Sequence, residues 1–247
     1  MRQIVIDINC DVGEGIENEP KLFPFISSCN IACGGHTGDK DTMLQTIHLA
    51  KENQVKIGAH PSYPDKNNFG RVSMNMDHGK LSDSIKEQLH QLHEICTAEG
   101  VTWQHIKPHG ALYNDIAKDG ELASVFLESI EEYKSDVVLF VPYGSAIQNR
   151  AKEYGFKTKI EAFADRNYND DLSLVSRSNT NALIKRPDEV LRHIVRMAKE
   201  KKVLTVNNEL KPIQAETYCI HGDTPEALQI LMYITQELPK HHIVLSQ

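Results

Sequence analysis

No stretch of the 247-residue sequence approaches the roughly 18 consecutive apolar residues of a membrane span. The start, Met1-Arg2-Gln3-Ile4, also lacks the charged-then-apolar pattern of a signal peptide. The expectation is a cytoplasmic protein with no membrane contact. Clustered basic charge is missing too: 27 Lys and Arg stand against 34 Asp and Glu. The basic pair Lys201-Lys202 reads as the solvated last turn of a helix, so a nucleic-acid surface is not expected. Cys10, Cys29, Cys33, Cys96 and Cys219 contain no CxxC pair. That argues against structural zinc of the usual spacing, and their odd number suits reduced thiols. Nucleotide cradles are absent as well. Gly13-Glu14-Gly15 has Asn18 where a third glycine belongs, Gly79-Lys80 has Met74 where a phosphate loop needs glycine, and no Gly-x-Ser-x-Gly elbow occurs. With no repeat, low-complexity tract or linker, residues 1–247 are expected to form one domain.

What the chain does contain is a steady alternation of β-rich runs and amphipathic helical stretches, the signature of a parallel sheet with crossover helices. Strands are expected near 4–9, 29–32, 55–59, 103–107, 137–141, 158–162 and 218–220, with a lesser hairpin at 203–206 and 212–215. Helices are expected near 41–52, 82–98, 120–133, 145–154, 188–200 and 225–238. In the second helix Leu81, Ile85, Leu89, Leu92 and Cys96 make one apolar face. The last helix should start at Pro225, capped by Thr224 or Asp223. Two long polar connections, 62–80 and 165–187, have the length of binding loops, and the second reads as a lid.

Nearly every expected strand is followed by a chemically competent cluster. These are Asn9-Cys10-Asp11 with Glu14, Gly35-His36-Thr37-Gly38-Asp39, His60-Pro61-Ser62-Tyr63, Lys107-Pro108-His109, Pro142-Tyr143, Asp165-Arg166 and His221-Gly222-Asp223. In an α/β barrel the C-terminal strand ends converge on one mouth, where active sites are built. Asp7 is a further candidate, because a carboxylate inside a strand needs partners. His36, His60, His109 and His221 occupy equivalent strand-end positions beside Gly or Pro. Asp11 with His36 and His60 is the set that would hold a divalent metal.

Several of these segments resemble the motifs of the LamB/YcsF family. They are Asp7-Ile8-Asn9-Cys10-Asp11-Val12-Gly13-Glu14, Ser27 through His36, Gly58 through Asp65, Phe69-Gly70-Arg71, Lys107 through Asn114, Phe163-Ala164-Asp165-Arg166 and His221-Gly222-Asp223-Thr224-Pro225. The resemblance implies a distorted (β/α) TIM-like barrel of about seven strands, akin to the glycoside hydrolase/deacetylase superfamily. It also implies the role of A subunit of a 5-oxoprolinase, which with partner subunits B and C converts 5-oxoproline, ATP and water to glutamate, ADP and phosphate. ATP would be a co-substrate handled with those partners. Where the family usually carries a bulky aromatic and an alanine, this chain has Gly35 and Thr37.

On that reading Asp11 or Asp7 orients a water, with Glu14 nearby, while His109 or His60 handles protons. Lys107, Arg71 or Arg166 would hold the substrate carboxylate or a phosphate. Asn9, His36, Tyr63, Tyr113, Asp165, His221 and Asp223 complete the expected substrate pocket. Two rival readings remain: a stand-alone metal-dependent amidohydrolase or deacetylase, and a non-catalytic subunit that only binds the lactam.

Overall fold

The computed structural model of the chain describes residues 3–246. Strand β1 (Ile4–Val12) is buried on both faces from Ile6 onward, which is why it reads as a nearly continuous apolar run with only a few polar interruptions. It is followed by β2 (Ser28–Ala32), α1 (Lys40–Glu52), β3 (Lys56–His60) and α2 (His78–Ala98). Asp39 and Asp77 cap the two helices, accepting from the backbone N–H of Thr42 and Lys80. The expected stripe of α2 is its buried face: Leu81, Ile85, Leu89, Leu92 and Cys96 are each at most 1% exposed.

The chain continues through β4 (His105–Ile106), α3 (Gly110–Lys118), α4 (Gly120–Ser129), β5 (Val138–Pro142), α5 (Ala146–Glu153) and β6 (Thr158–Phe163). It ends with α6 (Pro187–Glu200), β7 (Lys202–Leu204), β8 (Leu210–Pro212), β9 (Thr217–Cys219), α7 (Ala227–Glu237) and β10 (Ile243–Leu245). Helix α3 and strand β10 are absent from the sequence-based expectation. Asp119 separates α3 from α4, closing the first and capping the second through Glu121 and Leu122 N–H. The strand order is β10-β1-β2-β3-β4-β5-β6-β9, with β9 also beside β1.

By contact density the chain divides into two compact units. One comprises Asp11–Gly15 and Cys29–Lys159. In it β3, β4 and β5 run parallel, Gly58 opposite His105 and His105 opposite Val138. The other comprises the chain through Cys10, Ile16–Ser28 and everything from Ile160. There β9 is parallel to both β1 and β6, Cys219 lying opposite Asn9 and Phe163. Strand β10 is parallel to β1 from Ile4 opposite Ile243, and β7 with β8 forms the expected hairpin in shortened form. All five cysteines are interior thiols.

One local expectation needs correction. Helix α7 begins at Ala227, after Glu226 with φ 66°, and no side chain caps it. The Thr224 hydroxyl is directed to Asp165 and Asp223 to Arg177, so neither serves as the cap. The 165–187 connection is tied along its length. Tyr168, Val175 and Ala182 are buried, the Tyr168 hydroxyl accepts from Phe163 N–H at 2.7 Å, and Ile184 N–H donates to Asp165 O at 2.8 Å.

Candidate functional site

In the first unit the cluster is built from strand ends. Asp11 lies at the end of β1, His60 closes β3, and Lys107 follows β4 directly. Asp11 Oδ1 accepts from Lys107 Nζ at 2.9 Å and from Asn30 Nδ2 at 2.7 Å. Asn30 is held in turn by His105 Nε2, 2.8 Å from its Oδ1. The other carboxylate oxygen, Oδ2, lies 3.3 Å from His60 Nε2. Asp11, His60, Lys107 and His109 are all at most 5% exposed.

The backbone sets the proton positions on two imidazoles. His60 Nδ1 lies 2.6 Å from Lys107 O, and His109 Nε2 lies 3.0 Å from Phe69 O. A carbonyl oxygen only accepts, so both of these nitrogens carry the hydrogen. The remaining nitrogens, His60 Nε2 and His109 Nδ1, face each other at 2.9 Å. Glu14 Oε1 lies 3.5 Å from His109 Nδ1 and 3.1 Å from His36 Nε2. The His36 and His109 rings stack at 3.7 Å with an interplanar angle of 2°. Burial first, and the His60 charge second, push His36 down to about 2 and hold His109 well below the usual imidazole range. His36 Nε2 faces Glu14, and its Nδ1 lies 3.0 Å from Ser62 Oγ, whose hydroxyl donates to Tyr63 O at 2.8 Å.

Gln88 takes the space beside Gly35. It accepts from Ser62 N–H and donates to Ser62 O, both at 2.9 Å. A Cβ on Gly35 would lie 2.4 Å from Gln88 Oε1 and from Ser62 Oγ. The bulky aromatic of the resembled motif is therefore replaced by a polar clamp on the residue that holds His36.

Of the expected metal set, Asp11 and His60 come together, but with Glu14 and His109 in place of His36. One ligand atom from each of Asp11, Glu14, His60 and His109 lies within 4.8 Å of all the others, whereas His36 is committed to Glu14 and Ser62. Tyr63 is buried, and its hydroxyl donates to Asp115 Oδ2 at 2.9 Å. Burial and that carboxylate push the phenol up. Tyr113 is 5% exposed on α3, and the Arg71 guanidinium lies 4.8 Å over the Phe69 ring.

The second unit holds two further groups. Asp7 is 1% exposed and accepts from Ser28 Oγ at 2.7 Å and Thr217 Oγ1 at 2.6 Å. Asn9 Nδ2 donates to Glu161 Oε1 and to Thr217 Oγ1. These bonds join β1, β6 and β9 and give Asp7 and Asn9 a structural role.

Asp165 is fully buried and accepts from His221 N–H at 3.0 Å, from the Thr224 hydroxyl, and from His221 Nδ1 at 3.1 Å to each oxygen. Burial alone would raise its pKa. The His221 charge and these hydrogen bonds outweigh burial and bring it down to about 2. The arrangement fixes the imidazole with Nδ1–H toward the carboxylate and Nε2 away from it, and the ring stacks on Phe163 at 5.5 Å. The side chain of His221 is 13% exposed. Asp223 pairs with Arg177 at 2.8 Å, and Arg166 is 6% exposed with Nη2 on Val175 O. Asp165 therefore does not present its charge as a free binding group, whereas Arg166 keeps a buried Nε with no hydrogen-bond partner among the described residues.

Asn30, Gln88 and His105 are not singled out in the sequence, Ser62 appears there only within the His60 cluster, and Thr224 only as a candidate helix cap. Each acts by holding another side chain, and residue type alone carries no signal for that.

The LamB/YcsF family model matches residues 6–247. A protein of Haemophilus influenzae (strain PittEE), named as the A subunit of 5-oxoprolinase, is 39% identical over 241 residues, 98% of each chain. The crystal structure of a lactam utilization protein from Thermus thermophilus superposes with a TM-score of 0.89 at 31% identity, covering 98% of this chain and 99% of that one. A β-1,4-mannanase structure, 11% identical, shares the fold alone, with a TM-score of 0.52 over 95% of this chain and 99% of its own. The fold is thus the distorted (β/α) barrel that the family resemblance implies, and the chain belongs to the LamB/YcsF family.

Proposed function

We propose that the chain is the A subunit of an ATP-dependent 5-oxoprolinase, working in the cytoplasm with partner subunits B and C to open the lactam of 5-oxoproline to L-glutamate. The names of its relatives support a lactam substrate, and the lettering of the Haemophilus protein as one of several subunits supports a multi-chain assembly. The missing phosphate loop supports a division of labour in which ATP is handled with the partners.

One structural observation carries the hydrolytic part of this reading: Asp165 grips His221 through Nδ1 and leaves Nε2 as the working nitrogen. A five-membered lactam is a resonance-stabilised amide with a poor leaving nitrogen. Phosphorylation of its carbonyl oxygen by ATP removes that stabilisation. Water then adds to the carbon, and the C–N bond breaks as the nitrogen takes a proton. A second water releases phosphate from the resulting acyl phosphate. An imidazole held in one tautomer by a buried carboxylate suits both proton transfers, taking the proton from water and returning it to the nitrogen.

The test is glutamate release from 5-oxoproline and ATP, with this chain alone and with subunits B and C. Little turnover alone and restored turnover in the mixture are expected. Robust turnover by the isolated chain would overturn the division of labour, and no glutamate from the full mixture would overturn the lactam reading.

A further inference from the structure

Two imidazole nitrogens point at each other in the interior of the first unit. His60 Nδ1 and His109 Nε2 are both committed to backbone carbonyls as donors, so the nitrogens that meet at 2.9 Å are both acceptors when the two rings are neutral. Two acceptors at hydrogen-bond distance repel unless a positive species lies against both. The surroundings add more electron-rich atoms. Asp11 Oδ2 is 3.3 Å from His60 Nε2, and Glu14 Oε1 is 3.5 Å from His109 Nδ1.

Donors around a tetrahedral ion with bonds of about 2.1 Å sit about 3.4 Å apart. The spacings here are close to that figure, and four ligand atoms from four residues fall within 4.8 Å of one another. The outer hydrogen bonds match as well. A metal-bound imidazole usually donates its other N–H to a carbonyl or carboxylate, which fixes ring orientation and tautomer. Lys107 O and Phe69 O do this for His60 and His109, while Asn30 and Lys107 orient Asp11 through Oδ1, with Oδ2 3.3 Å from His60 Nε2.

We infer that Asp11, Glu14, His60 and His109 form a binding site for one divalent transition-metal ion. Two imidazole nitrogens and two carboxylate oxygens, with no thiolate, select a borderline ion of the Zn²⁺, Co²⁺ or Mn²⁺ kind rather than Mg²⁺ or Cu⁺. The inference rests on this geometry and not on the lactam reading. Its test therefore needs neither substrate nor partner subunits.

The untagged full chain is stripped with EDTA, dialysed and titrated with Co²⁺, following visible absorption and bound metal by elemental analysis. Binding saturates at one equivalent, gives the absorption bands of a low-coordinate nitrogen–oxygen site, and is displaced by Zn²⁺. His60→Gln and His109→Gln each weaken binding by about 10²-fold or more. His48→Gln, on the exposed side of α1, leaves it unchanged.

Should the two ring variants fold poorly, the wild-type chain still gives the answer. Paramagnetic Co²⁺ broadens the ring nitrogen resonances of His60 and His109 before those of two exposed histidines, His48 on α1 and His90 on α2. Binding weaker than about 1 mM, binding unaltered in folded His60→Gln and His109→Gln, or broadening centred on other histidines would overturn the inference. So would a metal-free chain whose nitrogen spectrum shows one proton shared between the two rings and no change on adding Co²⁺ or Zn²⁺.

Discussion

Lys107 Nζ donates to Asp11 Oδ1 at 2.9 Å, and the two side chains are only 2% and 5% exposed. A buried pair of this kind is costly to break from one side, because the remaining charge stays in the interior. Asp11→Asn keeps the shape but removes the countercharge. In EDTA, to exclude any metal effect, urea denaturation should show a loss of about 3 kcal/mol. The double variant Asp11→Asn/Lys107→Met should recover part of it, since no lone charge is left. If the single change costs less than about 0.5 kcal/mol, as exposed pairs do, the ammonium has access to water and the pair is not an interior one.

Asp165→Asn tests the proposed proton carrier from the other unit. An amide in place of the carboxylate favours the wrong imidazole tautomer, and a loss of about 10³-fold or more in kcat of the assembled enzyme is expected, with KM changed far less. The same variant has a stability signature. The folded pKa of Asp165, about 2, lies below its ordinary 3.8, so the contribution is complete above about pH 4 and is lost as pH falls through 2. Its size is about 2 kcal/mol. Wild type and variant should therefore differ in stability at pH 6 and converge toward pH 2. A constant gap across that range would mean that the carboxylate titrates as in the unfolded chain.

Much of the fold is legible because its signals are local. The α2 stripe from Leu81 to Cys96 has helical spacing, although the helix starts at His78 behind its Asp77 cap, ahead of the expected start near 82. Strand β10 is not legible. Ile243-Val244-Leu245 is too short to stand out, and its partner is Ile4-Val5-Ile6 at the far end of the chain. Helix α3 starts at Gly110, a poor helix former, so its opening carries no sequence signal.

At the site in the first unit, His36, His60 and His109 after strand ends mark the cluster, but ring orientation is set by groups elsewhere in the chain. That is why His36 and His109 exchange places in the candidate metal set. His109 is turned toward His60 by Phe69 O, and His36 is turned to Glu14 with Ser62 at its other nitrogen. The Thr224 hydroxyl likewise turns to Asp165 instead of accepting from a backbone N–H at the start of α7.

Gly58 shows how closely the strands support the cluster. A Cβ there would lie 2.1 Å from His105 Nε2 on the adjacent strand. The His105 ring cannot retreat easily, being 2% exposed and stacked on Phe140 at 4.2 Å. Gly58→Ala should cost about 2 kcal/mol as an overpacking change, which lowers Tm by roughly 4–8 °C for a chain of this size. Calorimetry reads this directly. His105→Ala opens the space, so the double variant should be more stable than the sum of the two single losses predicts. Strict additivity would mean that the two side chains do not compete for the same volume.

His193 on α6 supplies a pH test independent of catalysis. It is 5% exposed, and its Nε2 has no hydrogen-bond partner among the described residues. Burial first, and the nearby Arg196 charge second, lower its pKa from 6.5 to about 4. The sign follows from proton counting. Below pH 6.5 the unfolded chain binds a proton that the native chain refuses, so the native state loses stability as pH falls and regains it fully above 6.5. Between pH 7.5 and 5 the loss from this one group is about 2 kcal/mol. The comparison is made as a difference: urea denaturation of wild type and His193→Gln at both pH values, so that contributions from the other histidines cancel. Wild type should lose about 2 kcal/mol more than the variant over that interval. Equal losses in the two proteins would mean that the imidazole takes up its proton in the folded state as readily as in the unfolded one.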